Sequence, residues 1–243
     1  MIEFNNISLY LNKKPILAEV SVTIPDNCMT VIIGKSGCGK TMFMKTLEGL
    51  YQPQSGAIVI DGEIAISASI HHRPEILSRV AMLFQNAALL DSFTIFQNVA
   101  LPIYEDKSKK PAEIKDEVME ILQFVGLENS AGNYPAELSG GMRKRIGLAR
   151  ALITNPKYII LDEPTTGLDP FTANEVMTFL KRVIQLKKVI PITITHDPYC
   201  INELGDYIIM MDAGKITFSG FKTELLKLTG SGFLSFYNSF FLT

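Results

Sequence analysis

The stretch Gly34-Lys35-Ser36-Gly37-Cys38-Gly39-Lys40-Thr41 constrains this chain more than any other. It follows Thr30-Val31-Ile32-Ile33, a β-branched run that reads as a short buried strand. It precedes Met42-Phe43-Met44-Lys45-Thr46-Leu47, which can run as a helix. A strand, a glycine-rich turn and a helix start, closing on Gly-Lys-Thr, are what a phosphate-cradling loop requires. Glycines let the backbone wrap tightly, so successive N–H groups aim inward at phosphate oxygens. The helix start adds partial positive charge. On this reading Lys40 reaches the β- and γ-phosphates of a nucleoside triphosphate, and the Thr41 hydroxyl oxygen ligates Mg2+. Cys38 lies inside the loop, so a bulky thiol reagent is expected to block nucleotide binding if that side chain is accessible.

A phosphate loop of this kind needs a sheet behind it, and the rest of the chain supplies the pattern. Apolar runs alternate with helical periodicity, which predicts an α/β architecture. Ile58-Val59-Ile60 before Asp61-Gly62 reads as a strand entering a tight turn. Further strands are expected at 158–161 and 192–195, and a hairpin over 207–217 turning near Asp212-Ala213-Gly214. Ile114, Val118, Ile121, Leu122 and Val125 share one face of a helix that opens at Pro111 and stops at Gly126. The charged segment 105–110 reads as a surface loop. No linker composition splits the 243 residues into independent domains.

Several function classes lose ground on composition. Apolar runs such as 207–211 fall far short of the roughly 20 residues of a membrane helix. The start, Met1-Ile-Glu-Phe-Asn-Asn, lacks the basic region and apolar stretch of a signal peptide. Cys28, Cys38 and Cys200 form no C-x-x-C pair, which argues against a disulfide framework or zinc site and for a reducing compartment. Acids outnumber bases 25 to 23, so there is no basic excess to hold nucleic acid. His71 and His72 have no third ligand nearby and read as ordinary surface residues.

Two further motifs carry chemistry. The apolar run Tyr158-Ile159-Ile160-Leu161 ends in Asp162-Glu163. A strand buried on both faces of a parallel sheet reads this way. Its two acids then emerge at the carboxyl edge, where open α/β sheets bind ligands. Asp162 would hold Mg2+ through water, and Glu163 would act as general base for water attacking the γ-phosphate. In Leu138-Ser139-Gly140-Gly141-Met142, Ser139 is a good N-cap and the paired glycines form a second phosphate-binding surface at a helix start. Met142, Ile146, Ala149 and Ile153 mark one face of that helix. Its basic residues, Arg143, Lys144, Arg145 and Arg150, read as a solvated face.

In this order, with Gly167-Leu168-Asp169 and Thr195-His196-Asp197 added, the motifs resemble those of the ATP-binding-cassette family over nearly the whole chain. The resemblance implies one ABC ATPase domain over 1–243. Its fold would be a RecA-like P-loop core with an antiparallel β subdomain and a helical subdomain near 87–157. It implies ATP hydrolysis with Mg2+ and a head-to-tail homodimer in which Ser139, Gly140 and Gly141 contact ATP held by the other subunit. By position, Gln85 contacts Mg2+ and the attacking water, and His196 contacts the γ-phosphate. Asp169 links the two sites, and Tyr10 stacks on adenine, with Leu11 the alternative for that position. The expected partner is an integral-membrane permease, with this chain peripheral on the cytoplasmic face of the inner membrane. The apolar residues Leu89, Leu90, Phe93, Ile95 and Phe96 would border the groove that takes a permease helix.

The signature carries Met142 where the family usually has Gln, and the segment 82–102 around Gln85 is distinctive. Both look like the ATPases of Mla/Mce-type lipid transporters, which implies phospholipid cargo and an Mce-domain lipid-binding subunit. An importer of a polar solute such as an amino acid is the alternative. The aromatic end of the chain, 232–243, is expected to dock on protein rather than lipid, because it contains no basic residue.

Overall fold

The computed structural model describes residues 1–70, 73–104 and 109–229. The paired histidines 71–72, most of the charged loop 105–110 and the aromatic end 232–243 lie outside the described residues. The chain divides into two compact units, one formed by Met1–Val80 with the residues from Ile190 on, the other by Ala81–Val189.

In chain order the first unit begins with β1 (Ile2–Leu11), β2 (Lys14–Ile24), β3 (Thr30–Gly34), α1 (Lys40–Leu47), β4 (Ser55–Ile60), β5 (Glu63–Ser67) and α2 (Pro74–Leu77). Then come β6 (Val80–Leu83), α3 (Ile95–Ala100), α4 (Pro111–Phe124), α5 (Gly140–Leu152), β7 (Tyr158–Asp162) and α6 (Pro170–Lys187). The chain returns to the first unit with β8 (Ile190–Ile194), α7 (Pro198–Leu204), β9 (Tyr207–Asp212), β10 (Lys215–Phe221) and α8 (Lys222–Thr229).

The first unit holds two kinds of sheet. β2, β1, β4 and β5 form an antiparallel sheet in that order. β8 and β9 flank β3 in parallel, with β10 antiparallel to β9. The parallel ladder explains why β3 reads Thr-Val-Ile-Ile-Gly without alternation: all five residues are buried. β8 starts at Ile190, and its register with β3 begins at Ile192, past Pro191, which has no N–H to offer the ladder. Ile32 pairs with Ile194, so the carboxyl ends of β3 and β8 reach the same sheet edge. α1 is anchored by Phe43, whose ring stacks on that of Phe4 in β1 at a centroid distance of 4.0 Å. Both rings are buried.

The second unit is mostly helical, and the stretch 87–157 falls inside it. α4 buries Ile114, Val118, Ile121 and Leu122, the stripe read from its spacing, and Gly126 follows with φ +73°. α3 opens with a reciprocal cap: Thr94 accepts from the Gln97 N–H, and the Gln97 side chain accepts from the Thr94 N–H. Among the described residues no helix is long and apolar enough to cross a membrane.

Two turn glycines separate backbone strain from crowding. Gly62 and Gly214 have φ of +83° and +76°. A Cβ at Gly62 would meet nothing within 4 Å, whereas one at Gly214 would lie 2.3 Å from the Ile16 carbonyl oxygen. Gly62→Ala should therefore cost only the left-handed strain, about 1–2 kcal/mol. Gly214→Ala must also push β2 backbone aside and should cost clearly more. Urea unfolding of both variants checks the order, and equal midpoints would mean the Ile16 contact yields freely.

Candidate nucleotide site

The phosphate loop joins β3 to α1. Gly34 admits no side chain, since a Cβ would sit 2.4 Å from the Met211 carbonyl oxygen and 2.5 Å from the Cys38 sulfur. Gly37 and Gly39 adopt φ of +76° and +112°, which turn the backbone back toward the helix. Lys35, Ser36 and Gly37 form an exposed crest, and Thr41 stands exposed in the first turn of α1. No acid lies in that turn to oppose an anion. The Lys40 ammonium folds back over the loop, donating to the Gly34 and Lys35 carbonyl oxygens at 2.7 and 3.1 Å. The loop is braced from behind. The Gly214 N–H donates to the Cys38 carbonyl at 2.8 Å, and the Ala18 N–H donates to the Gly214 carbonyl at 3.0 Å. An exposed glycine-containing crest, a lysine within reach and a hydroxyl on the next turn fit a Mg2+-bearing triphosphate.

Cys38 is only 6% exposed and its sulfur faces Gly34, so the accessibility on which thiol blocking depended is not met. Tyr10 is near the end of β1 and 47% exposed, and its N–H donates to the Gln54 side chain at 2.7 Å. His196 is exposed two residues beyond Ile194, as Gly34 is two beyond Ile32. The parallel register thus brings the phosphate loop and His196 to one edge. Behind His196 the chain is held by the Asp197 N–H, which donates to the Thr195 hydroxyl at 3.0 Å, and by the Asp197 side chain, which caps α7.

In the second unit β7 delivers Asp162 and Glu163, both half-buried. Glu163 has φ +46°, and its carboxylate accepts from the Thr166 hydroxyl at 3.1 Å. Gln85 is exposed in the turn after β6. Ser139 caps α5 by accepting from the Met142 N–H at 3.2 Å. Gly140 and Gly141 lie against Leu168 and Thr172, where a Cβ would be 3.1 Å away in each case. The start of α5 and the Asp169 segment are therefore neighbours. Asp169 caps α6, accepting from the Phe171 and Thr172 N–H groups at 3.1 Å and from the Thr172 hydroxyl at 2.6 Å. Lys40, Thr41, Tyr10 and His196 belong to the first unit, and Gln85, Ser139, Gly140, Gly141, Asp162, Glu163 and Asp169 to the second.

The solvated-face reading of the basic run is overturned. Only Arg143 is exposed, and Lys144 is 5% exposed. Lys144 donates to the backbone carbonyls of Gln85 and, at 3.2 Å, of Glu163. Burial pushes its pKa down, while the charges of Asp162 and Glu163 pull it up. Arg150 donates to the Ala88 and Ala87 carbonyls at 2.7 Å each. Arg145 lies over the Phe179 ring at 5.0 Å. A signal was present in the sequence: Lys144 leads the stripe Gly147, Leu148, Ala151, all buried, on a helix with little free surface. Asn98 was also missed. Fully buried, it accepts from the Leu90 N–H at 2.7 Å and donates to the Leu90, Phe93 and Thr94 carbonyls at 3.0–3.1 Å. Of the apolar residues expected to border a groove, Ile95 is core, Leu90 is 45% exposed, and Leu89, Phe93 and Phe96 are half-buried.

The Thr172 hydroxyl and N–H and the Phe171 N–H hold the Asp169 carboxyl below its usual pKa. A depressed carboxyl contributes its full stabilisation above its unfolded pKa, about 4, and loses it as pH falls through the folded value. Asp169→Ala should lower the melting temperature at neutral pH, and the gap to wild type should narrow in acid. Thermal melts from pH 7 to pH 3 check this. A gap that is constant with pH would mean the carboxylate charge adds nothing to the cap.

Comparison with known proteins places these motifs in context. Residues 17–166 match the family model described as ABC transporter. The chain is 37% identical over 229 residues to the methionine import ATP-binding protein MetN 1 of Staphylococcus aureus strain USA300, spanning 93% of this chain and 67% of that protein. Among solved structures, cbiO1 from Clostridium perfringens, part of the ABC transporter complex cbiONQ, matches with TM-score 0.81 at 25% identity, over 94% of this chain and 91% of that one. The dimeric ATP-binding cassette MJ0796, bound to ADP and Pi after hydrolysis, matches with TM-score 0.75 at 27% identity, over 91% and 98%. The chain belongs to the ABC transporter family, has the ABC ATPase fold, and is an ATP-binding, ATP-hydrolysing subunit.

Proposed function

We propose that this chain powers an importer of an amino acid. The observation that carries this cargo is the 37% identity, over 93% of the chain, to a methionine import ATP-binding protein. The lipid cargo expected from Met142 and the segment around Gln85, and the Mce-domain subunit with it, draw no support from these relatives. The dimeric MJ0796 and the complex-borne cbiO1 support a head-to-tail homodimer docked on an integral-membrane permease, peripheral to the membrane. The whole chain, 1–243, then acts as one ATPase domain whose helical part, 87–157, faces the permease.

Each candidate residue has a task in that cycle. N–H groups of the loop and the Lys40 ammonium bind the phosphates, for which Lys40 exchanges its loop carbonyls for phosphate oxygens. Thr41, Asp162 and Gln85 would hold Mg2+, which when bound neutralises charge on the β- and γ-phosphates. Tyr10 stacks on the adenine. Glu163 takes the proton of the attacking water, and His196 and Gln85 orient it. Ser139, Gly140 and Gly141 of one copy close on the γ-phosphate bound to the other, and Asp169 links the two sites.

Glu163→Gln should keep ATP binding, accumulate a closed dimer and cut turnover roughly 10²- to 10⁴-fold. ATPase assays with size-exclusion chromatography test it, and near-normal hydrolysis would remove Glu163 from the role. The cargo is tested by affinity purification from gently solubilised native membranes, with mass spectrometry of proteins and lipids. A permease and a solute-binding protein without lipid support amino-acid import. An Mce-domain protein with enriched phospholipid would replace that cargo with lipid.

A further inference from the structure

We propose that Lys144 is a positioning residue for hydrolysis: its ammonium bridges the backbone carbonyls of Gln85 and Glu163 and sets the two side chains in register. This rests on the reading that Gln85 and Glu163 both act on the attacking water. Three observations carry it.

The first is where the charge goes. Lys144 is almost wholly buried, yet among the described residues it forms no ion pair with a carboxylate. Its donors go to two main-chain oxygens from separate segments, at the end of β7 and in the turn after β6. A buried cation is costly compared with an apolar side chain of similar volume. Packing alone would favour Met or Leu here.

The second is the backbone that the cations of α5 hold, Lys144 at Gln85 and Glu163 and Arg150 at Ala87 and Ala88. Glu163 has φ +46°, and Ala87 and Ala88, just after Gln85, have φ +58° and +47°. None is a glycine, so each occupies a conformation that persists only when its surroundings over-determine it. Charge-assisted hydrogen bonds to their carbonyls supply that restraint.

The third is that the restraint is repeated along one helix. Arg150 holds the Ala87 and Ala88 carbonyls. Between the two cations, Gly147 lets α5 lie directly on the turn, since a Cβ there would be 2.8 Å from Leu83 and 3.0 Å from Ala87. α5 therefore holds the Gln85 turn at Lys144, Gly147 and Arg150, and reaches the Glu163 carbonyl through Lys144. The same helix begins at Gly140 and Gly141, next to its Ser139 cap. The groups proposed to close on ATP and the groups proposed to orient water are thus tied through one rigid element.

The test uses the full chain with Lys144→Met, which keeps the length and removes the donor, and Lys144→Gln, which keeps a neutral donor. ATP affinity is read with a fluorescent ATP analogue, turnover by phosphate release and folding by urea midpoint. Lys144→Met should bind the analogue within about threefold of wild type and lose roughly ten- to a hundredfold in kcat, with partial recovery in Lys144→Gln. Wild-type kcat in Lys144→Met overturns the proposal, and so does a loss of affinity that matches the loss of kcat. If Lys144→Met does not fold, Lys144→Gln decides: a lowered kcat at unchanged affinity supports the proposal, and an unchanged kcat overturns it. Glu163→Gln is assayed alongside. If it hydrolyses normally, the reading of Glu163 falls and the proposal with it. If it is inactive while Lys144→Met is normal, only the proposal about Lys144 falls.

Discussion

A phosphate-binding loop offers N–H groups to its ligand, so its own hydrogen bonds, such as that from the Cys38 N–H to the Lys35 carbonyl at 3.2 Å, cannot hold its shape by themselves. In this chain the restraint comes from three sides. β3 enters the loop with every residue buried between parallel neighbours. α1 leaves it pinned by the stacked rings of Phe4 and Phe43. The turn of the β9–β10 hairpin supports it from behind, through the Gly214 N–H and the Cys38 carbonyl. That turn lies more than 170 residues away in sequence, yet it stands where any side chain at position 214 would strike Ile16. The antiparallel sheet contributes Ile16 and Phe4, so it acts as part of the loop's mounting as well as the carrier of Tyr10.

The second unit meets the same demand with charge. Gln85 and Glu163 sit on irregular backbone, where strands and helices offer no ladder to hold them. The buried Lys144 and half-buried Arg150 of α5 make up the deficit by donating to main-chain oxygens. Carbonyl acceptors suit this task because Lys144 then holds Gln85 and Glu163 by their main chain and not by their side chains. A carboxylate partner for Lys144 would tie up one of the acids that chemistry needs. Asp169 shows the opposite case: its carboxylate is fully engaged by its own helix, so it orders the segment beside Gly140 and Gly141.

The motifs were legible because each depends on short-range geometry. Gly34 to Thr41, Ser139 with its two glycines, and Asp162-Glu163 all announce themselves by residue type and spacing within eight positions. The stripe on α4 and the hairpin turn at Asp212-Ala213-Gly214 were legible for the same reason. The basic residues of α5 were misread because a charge at a helical position says nothing about whether a carbonyl waits opposite it. Asn98 was missed because its four hydrogen bonds go to backbone atoms that no sequence pattern marks. Met142 and the stretch beside Gln85 are too short to mark the cargo, while identity over most of the chain favours amino-acid import.

By itself the sequence determined that this chain is a P-loop α/β protein with a phosphate loop, a pair of acids at a strand end and a capped glycine helix start, because those features are local and their chemistry is written in residue type. Only the tertiary structure decided that Cys38 turns inward, that Gly214 backs the loop, and that Lys144 and Arg150 donate to main-chain carbonyls of remote segments. Those outcomes depend on which distant backbone atoms share a dry interior. There an unpaired charge or carbonyl is costly, and pairing between remote segments sets the arrangement.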